Sequence, residues 1–170
     1  MSEEPMNNKI VKNDRTEDRV QTCVFCNIIS ANGSNILEPR SNEFVVIKDL
    51  KPVATHHFLV LSHKHIASSK SLQPCEQDRN LIESMVTAAK QILLNNGCDL
   101  NDTRMGFHWP PFYSIGHMHL HVISPISSMS AFNRYVVFNP SISYIFVDVD
   151  YIKKRIGCKE KKETEDPSTV

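Results

Sequence analysis

One heptapeptide limits this chain more than any other: His117-Met118-His119-Leu120-His121-Val122-Ile123. Successive side chains of a β-strand point to opposite faces, so a period of two sets His117, His119 and His121 in one row. Met118, Leu120 and Val122 then face the other way, into a core. A single strand histidine is ordinarily a satisfied core or surface residue. Three in strict alternation make a poor core, because each ring carries polar nitrogens that need partners. They make a good site, since neutral imidazole serves as nucleophile, base, donor or metal ligand near neutral pH.

The rest of the composition narrows the setting. A chain of 170 residues holds one domain with a real core plus tails. Its formal net charge is zero, which argues against a broad basic surface for nucleic acid. The first residues are polar and acidic, with no secretory pattern, and no apolar run reaches membrane-span length. Five cysteines, an odd number, argue for reduced thiols rather than a disulfide framework. The expectation is a cytoplasmic location, with the nucleus as a second compartment. All eight histidines fall between His56 and His121, which places the chemistry mid-chain.

Residues 1–21 and 158–170 read as disordered tails around a domain at 22–157. A short helix is expected from Thr22 to Asn32-Gly33, then two strands, Ile36–Glu38 and Phe44–Ile47, around a turn at Arg40-Ser41-Asn42. Asp49–Pro52 is a loop, and His57–Leu61 a buried strand with His56 facing the opposite way. Pro74 fits the first turn of a long helix. Ile82, Met85, Val86, Ala89, Ile92 and Leu93 form its apolar stripe, and Asn96-Gly97 its stop. Arg104–Phe107 is a strand ended by Trp109-Pro110-Pro111. Tyr135–Phe138 reads as strand or loop, and Val147–Ile156 as a final helix, whose Lys153, Lys154 and Arg155 read as a solvated end. The order gives an α+β fold: an antiparallel sheet of about five strands, a long helix and short terminal helices.

The alternating heptapeptide resembles the signature of the histidine triad superfamily of nucleotide hydrolases and transferases, and the pattern of the chain is most similar to its Hint branch. The resemblance implies the histidine-triad fold. It also implies cleavage of the P–N bond of adenosine or other purine nucleoside 5′-monophosphoramidates, releasing AMP and amine.

On that resemblance His119 is the nucleophile that forms a nucleotidyl-histidine intermediate. Its proton must then sit on Nδ1, where a backbone carbonyl can hold it. His117 and His121 orient the phosphate and stabilise its charge. Ser114 contacts phosphate and helps protonate the departing amine, with a plain turn serine as the competing reading. Asp49 accepts from the ribose hydroxyls and Leu50 packs on the base. Phe44, Val24 or Phe25 line the base pocket or the core. His57 supports the site. His108 completes the nucleotide contacts at a position where the first Hint subfamily carries Asn, which leaves the leaving group open.

Cys23-x-x-Cys26 alone is a weak signal, equally read as packed thiols. The resemblance adds a ligand set: Cys23, Cys26, His65 and His117, four donors suited to a structural zinc, with His63 as the competitor for His65. No cofactor is expected for catalysis itself. The partner is a purine nucleotide, with a homodimer as a further expectation and neither membrane nor nucleic acid favoured. Two rival readings stand beside the phosphoramidase. One is an aprataxin-like deadenylase of 5′-adenylated nucleic-acid ends. The other is a nucleotide-binding adaptor with incidental turnover, against which the complete triad argues.

Overall fold

The computed structural model describes residues 22–33 and 35–157, so the expected tails at 1–21 and 158–170 lie outside the described residues. The elements follow as α1 (Val24–Ala31), β1 (Ile36–Leu37), β2 (Phe44–Lys48), β3 (His56–Ser62), α2 (Glu76–Asn95), β4 (Arg104–His108), β5 (His119–Ser124), β6 (Phe146–Asp148) and α3 (Val149–Arg155). The strands form one sheet in the order β1-β2-β3-β5-β4-β6, with every neighbouring pair antiparallel.

Strand alternation divides the sheet into two faces. Phe44, Val46, Phe58, Val60, Leu120 and Val122 meet the buried side of α2, with Val149 and Ile152 of α3 completing that core. The α2 stripe expected from the sequence is the buried one, extended by Leu81 and Ala88. Gly97 closes the turn after α2 at φ +68°, a left-handed conformation that costs glycine nothing. On the other face Val45, Ile47, Leu59 and Leu61 receive Phe25 of α1. The site histidines share this second face: His57 pairs with Ile123, and His121 with Leu59.

Several expectations change. The sheet has six strands, because Phe146–Asp148 adds an edge strand beside β4 where a longer helix from Val147 was expected. Asp148 caps the shorter helix, its Oδ1 accepting from the Tyr151 N–H at 2.8 Å. Helix α2 starts at Glu76, so Pro74 lies before the cap residue Cys75 rather than inside the first turn. Asn133–Val137 is a turn of π-helix, neither strand nor extended loop. Two of the three cations expected as a solvated end, Lys153 and Arg155, have partners, while Lys154 is exposed. Lys153 pairs with Glu83 at 3.0 Å, and the Arg155 guanidinium donates to the Ser69 and Leu72 carbonyls and lies over the Trp109 ring.

Gly106 is what admits β6. A side chain here would run into the Val147 carbonyl and the Phe146 ring. Phe146 stays wholly buried, its ring 5.3 Å from His108 and 6.3 Å from His121.

Candidate active site

His119 opens β5 and His121 follows two residues on, so the pleat turns both rings to one face. The His119 Nδ1–H donates to the His117 carbonyl at 2.6 Å. That bond fixes the tautomer and leaves Nε2 with a free lone pair. Burial lowers the His119 pKa to about 4, against the opposing pull of the same hydrogen bond. The ring is therefore neutral at pH 7 with an available lone pair.

A cavity of about 530 Å³ opens beside it. His108, His119, His121, Asp49 and Ser114 give it a polar end, while Val24, Phe25, Ile28, Leu50, Leu59 and Ile115 form apolar walls. Leu50 is 92% exposed and Val24 55%, so each presents a large apolar surface that the protein itself leaves uncovered. Phe44 belongs to the core beneath α2, which settles its place away from the cavity. Ser114 is exposed on the wall of the cavity.

A second line of groups runs behind the cavity. The Val53 N–H donates to His57 Nδ1 at 3.3 Å, and His57 Nε2 lies 2.9 Å from His121 Nδ1. Asp49 Oδ2 is 3.4 Å from the same His57 Nε2, while its Oδ1 accepts from the Lys51 N–H at 2.8 Å. His121 Nε2 is buried and has no hydrogen-bond partner among the described residues. Desolvation lowers the pKa of His57, of His108 and, furthest, of His121, so all three are neutral near pH 7. Phe138 seals this group, 5.7, 5.3 and 4.9 Å from the rings of His57, His121 and His108. Arg104 holds the turn that carries it, donating to the carbonyls of Arg134 and Phe138. Val53, Phe138 and Arg104 were not marked as site residues by the sequence. Their signal is spatial, and no local motif marks them.

His117 stands apart from its two neighbours. It precedes β5, and its Nε2–H donates to the Ser62 carbonyl at 2.7 Å. Its Nδ1 lies 3.5 Å from Cys23 Sγ and 3.4 Å from Cys26 Sγ, and His65 Nδ1 is 3.3 Å from Cys26 Sγ. The four donor atoms lie within 4.8 Å of one another. With both nitrogens so engaged, His117 faces this cluster and not the cavity, contrary to the expected phosphate contact. What it gives His119 is its backbone carbonyl. His63 is exposed and outside the cluster. Among the described residues no helix is long and apolar enough to cross a membrane.

A family model described as scavenger mRNA decapping enzyme C-term binding matches residues 22–136. The chain is 40% identical over 137 residues to adenosine 5′-monophosphoramidase HINT3 of Mus musculus, covering 79% of this chain and 81% of that protein. It is 38% identical over 132 residues to the Xenopus tropicalis protein of the same name, covering 76% and 83%. Among solved structures, a HIT family hydrolase from Clostridium thermocellum superposes with a TM-score of 0.55 at 24% identity, over 61% of this chain and 90% of that one. An aprataxin ortholog, Hnt3, in complex with DNA superposes with a TM-score of 0.54 at 18% identity, over 86% and 78%. These two share the fold.

Proposed function

This chain belongs to the histidine triad superfamily, on the side of the Hint nucleotide hydrolases, and from that premise we propose that it hydrolyses the P–N bond of purine nucleoside 5′-monophosphoramidates. The carrying observation is the His119 ring, with Nδ1–H held by the His117 carbonyl and a neutral Nε2 beside a cavity of nucleotide-compatible size. Nε2 attacks the α-phosphorus; the Nε2–P bond forms as the P–N bond breaks. The amine departs with a proton relayed from solvent through Ser114 Oγ. Water then attacks phosphorus, the Nε2–P bond breaks and the water's proton goes to solvent, releasing AMP and restoring neutral His119. Covalent catalysis thus divides one displacement into two easier ones.

Asp49 takes the ribose hydroxyls, and the apolar walls around Leu50 and Phe25 take the base. His121 offers its unpartnered Nε2–H to a phosphate oxygen, stabilising the charge that develops there. Intact-mass measurement of the full chain, quenched during turnover of an adenosine 5′-phosphoramidate, tests the reading. A covalent AMP adduct is expected on the native protein and none on His119→Ala, which also loses turnover. An adduct that survives in His119→Ala would refute the assignment.

Cys23, Cys26, His65 and His117 would hold a structural Zn²⁺. Tetrahedral bonds of about 2.3 Å to sulfur and about 2.0 Å to nitrogen separate such donors by about 3.5 Å, and the sulfur–nitrogen distances here run from 3.3 to 3.5 Å. Without a cation, burial and then the neighbouring Cys23 push the Cys26 thiol up to about 11; a bound dication stabilises the thiolates. The metal would tie α1 and the loop after β3 to the residue whose carbonyl orients His119.

A further inference from the structure

We propose that Asp49 and His57 couple the sugar end of the cavity to its phosphate end, so that ribose hydroxyls on Asp49 strengthen the hydrogen bond His121 offers the reacting phosphate. The inference rests on the nucleotide reading above and adds to it a coupling between two contacts.

Hydrogen accounting fixes the chain of donors. A backbone N–H can only donate, so Val53 makes His57 Nδ1 an acceptor, at 3.3 Å. Neutral His57 then carries its hydrogen on Nε2. That hydrogen has two acceptors in reach: His121 Nδ1 at 2.9 Å and Asp49 Oδ2 at 3.4 Å. Because His121 accepts on Nδ1, its own hydrogen sits on Nε2, the buried atom that has no partner among the described residues. The arrangement opposes a metal ion on Asp49, His57 and His121, although their donor atoms are close enough to suggest one. Freeing His57 Nε2 for a metal would put its hydrogen on Nδ1, facing the Val53 N–H.

The single His57 Nε2 hydrogen is therefore shared, and Asp49 competes for it. A carboxylate that accepts from one or both ribose hydroxyls has less negative charge to offer a third donor. The hydrogen then goes more fully to His121 Nδ1. Chains of hydrogen bonds polarise one another, so a stronger bond into Nδ1 makes His121 Nε2–H the better donor. That donor acts on a phosphate whose charge rises in the transition state, so the gain falls on the chemical step more than on binding. His57 is in this account a positioning residue, since it acts through His121 and touches no substrate.

Single-turnover rates of P–N cleavage for adenosine and 2′,3′-dideoxyadenosine 5′-phosphoramidate, on native protein and His57→Asn, test the coupling. In native protein the ribose hydroxyls should raise the saturated rate by about fivefold to tenfold, the worth of one modest hydrogen bond. In His57→Asn that rate advantage should vanish, while calorimetry still shows AMP binding tighter than dideoxy-AMP. An equal rate advantage in both proteins, or none in native protein, overturns the coupling. A second arm needs neither turnover nor a folded variant. In ¹⁵N-histidine NMR of the native chain, His121 Nε2 should stay protonated, with its proton moving further downfield on adding AMP than dideoxy-AMP. Identical shifts with the two nucleotides refute the coupling even where phosphoramidates prove not to be substrates.

Discussion

Ser114 and Gly106 carry the sharpest residue-level expectations, for opposite reasons. Ser114 is exposed on the cavity wall and has no packing to lose. Its replacement by alanine should leave stability unchanged and slow P–N cleavage by about 10²-fold, because an amide anion is a very poor leaving group. AMP p-nitrophenyl ester, whose leaving group needs no proton, should be cleaved at close to the native rate. Equal losses on both substrates would remove Ser114 from the proton path. Gly106→Ala acts on the fold: the added carbon meets the Val147 carbonyl and the Phe146 ring, and backbone cannot step aside as a side-chain tip can. Denaturant unfolding should show a loss of about 1–3 kcal/mol. The Nδ1 proton of His119 followed from the resemblance, since attack through Nε2 requires it, and the His117 carbonyl is where it is held. The His57–His121 contact was not legible in the sequence, since 64 residues separate the partners and nothing local marks the pair.

At the scale of elements, legibility followed the strength of the repeat. The α2 stripe, the unbroken apolar run of β3 and the alternation of β5 are regular, and the structure keeps all three. The pattern failed where an element is short. Phe146-Val147-Asp148 gives only three residues of strand before Val149 begins a helix, too little for a period of two to stand out from one of 3.6. The turn Asn133–Val137 is likewise set by what it supports, Phe138 over the histidines, and by Arg104 bonding its carbonyls. Helix α1 is the element whose position bears on metal. With eight residues and no side-chain cap, it has little stability of its own. Zinc on Cys23 and Cys26 would anchor its first turn, so native protein should carry about one zinc per chain by elemental analysis. Cys26→Ser should release the metal and lower the melting temperature, because metal binding to a folded site is folding free energy. Metal-free native protein with an unchanged melting temperature would return the two cysteines to packed thiols.

For the molecule as a whole, the buried histidines make acid the vulnerable side. His57, His108, His119 and His121 all have pKa values lowered from 6.5 in the folded state, with desolvation the largest cause in each. Unfolding returns them to water, where they titrate normally. Between pH 6.5 and the lowered folded values, the unfolded chain therefore binds more protons than the folded one. Stability then rises with pH across that window and falls as pH drops through it. Each histidine contributes a slope of at most about 1.4 kcal/mol per pH unit where its unfolded form is protonated and its folded form is not. The window for His119 runs from 6.5 down to about 4. Denaturant unfolding at pH 7.5, 6 and 5 should therefore show a progressive loss of stability that begins near pH 6.5, well above the carboxylate range. Substituting His108, a half-buried member of the group, with asparagine should make the pH dependence shallower by one histidine's share. A curve flat from pH 7.5 to 5 would mean that these rings are hydrated in the folded protein. That result would also weaken the assignment of His119 as a neutral, desolvated nucleophile.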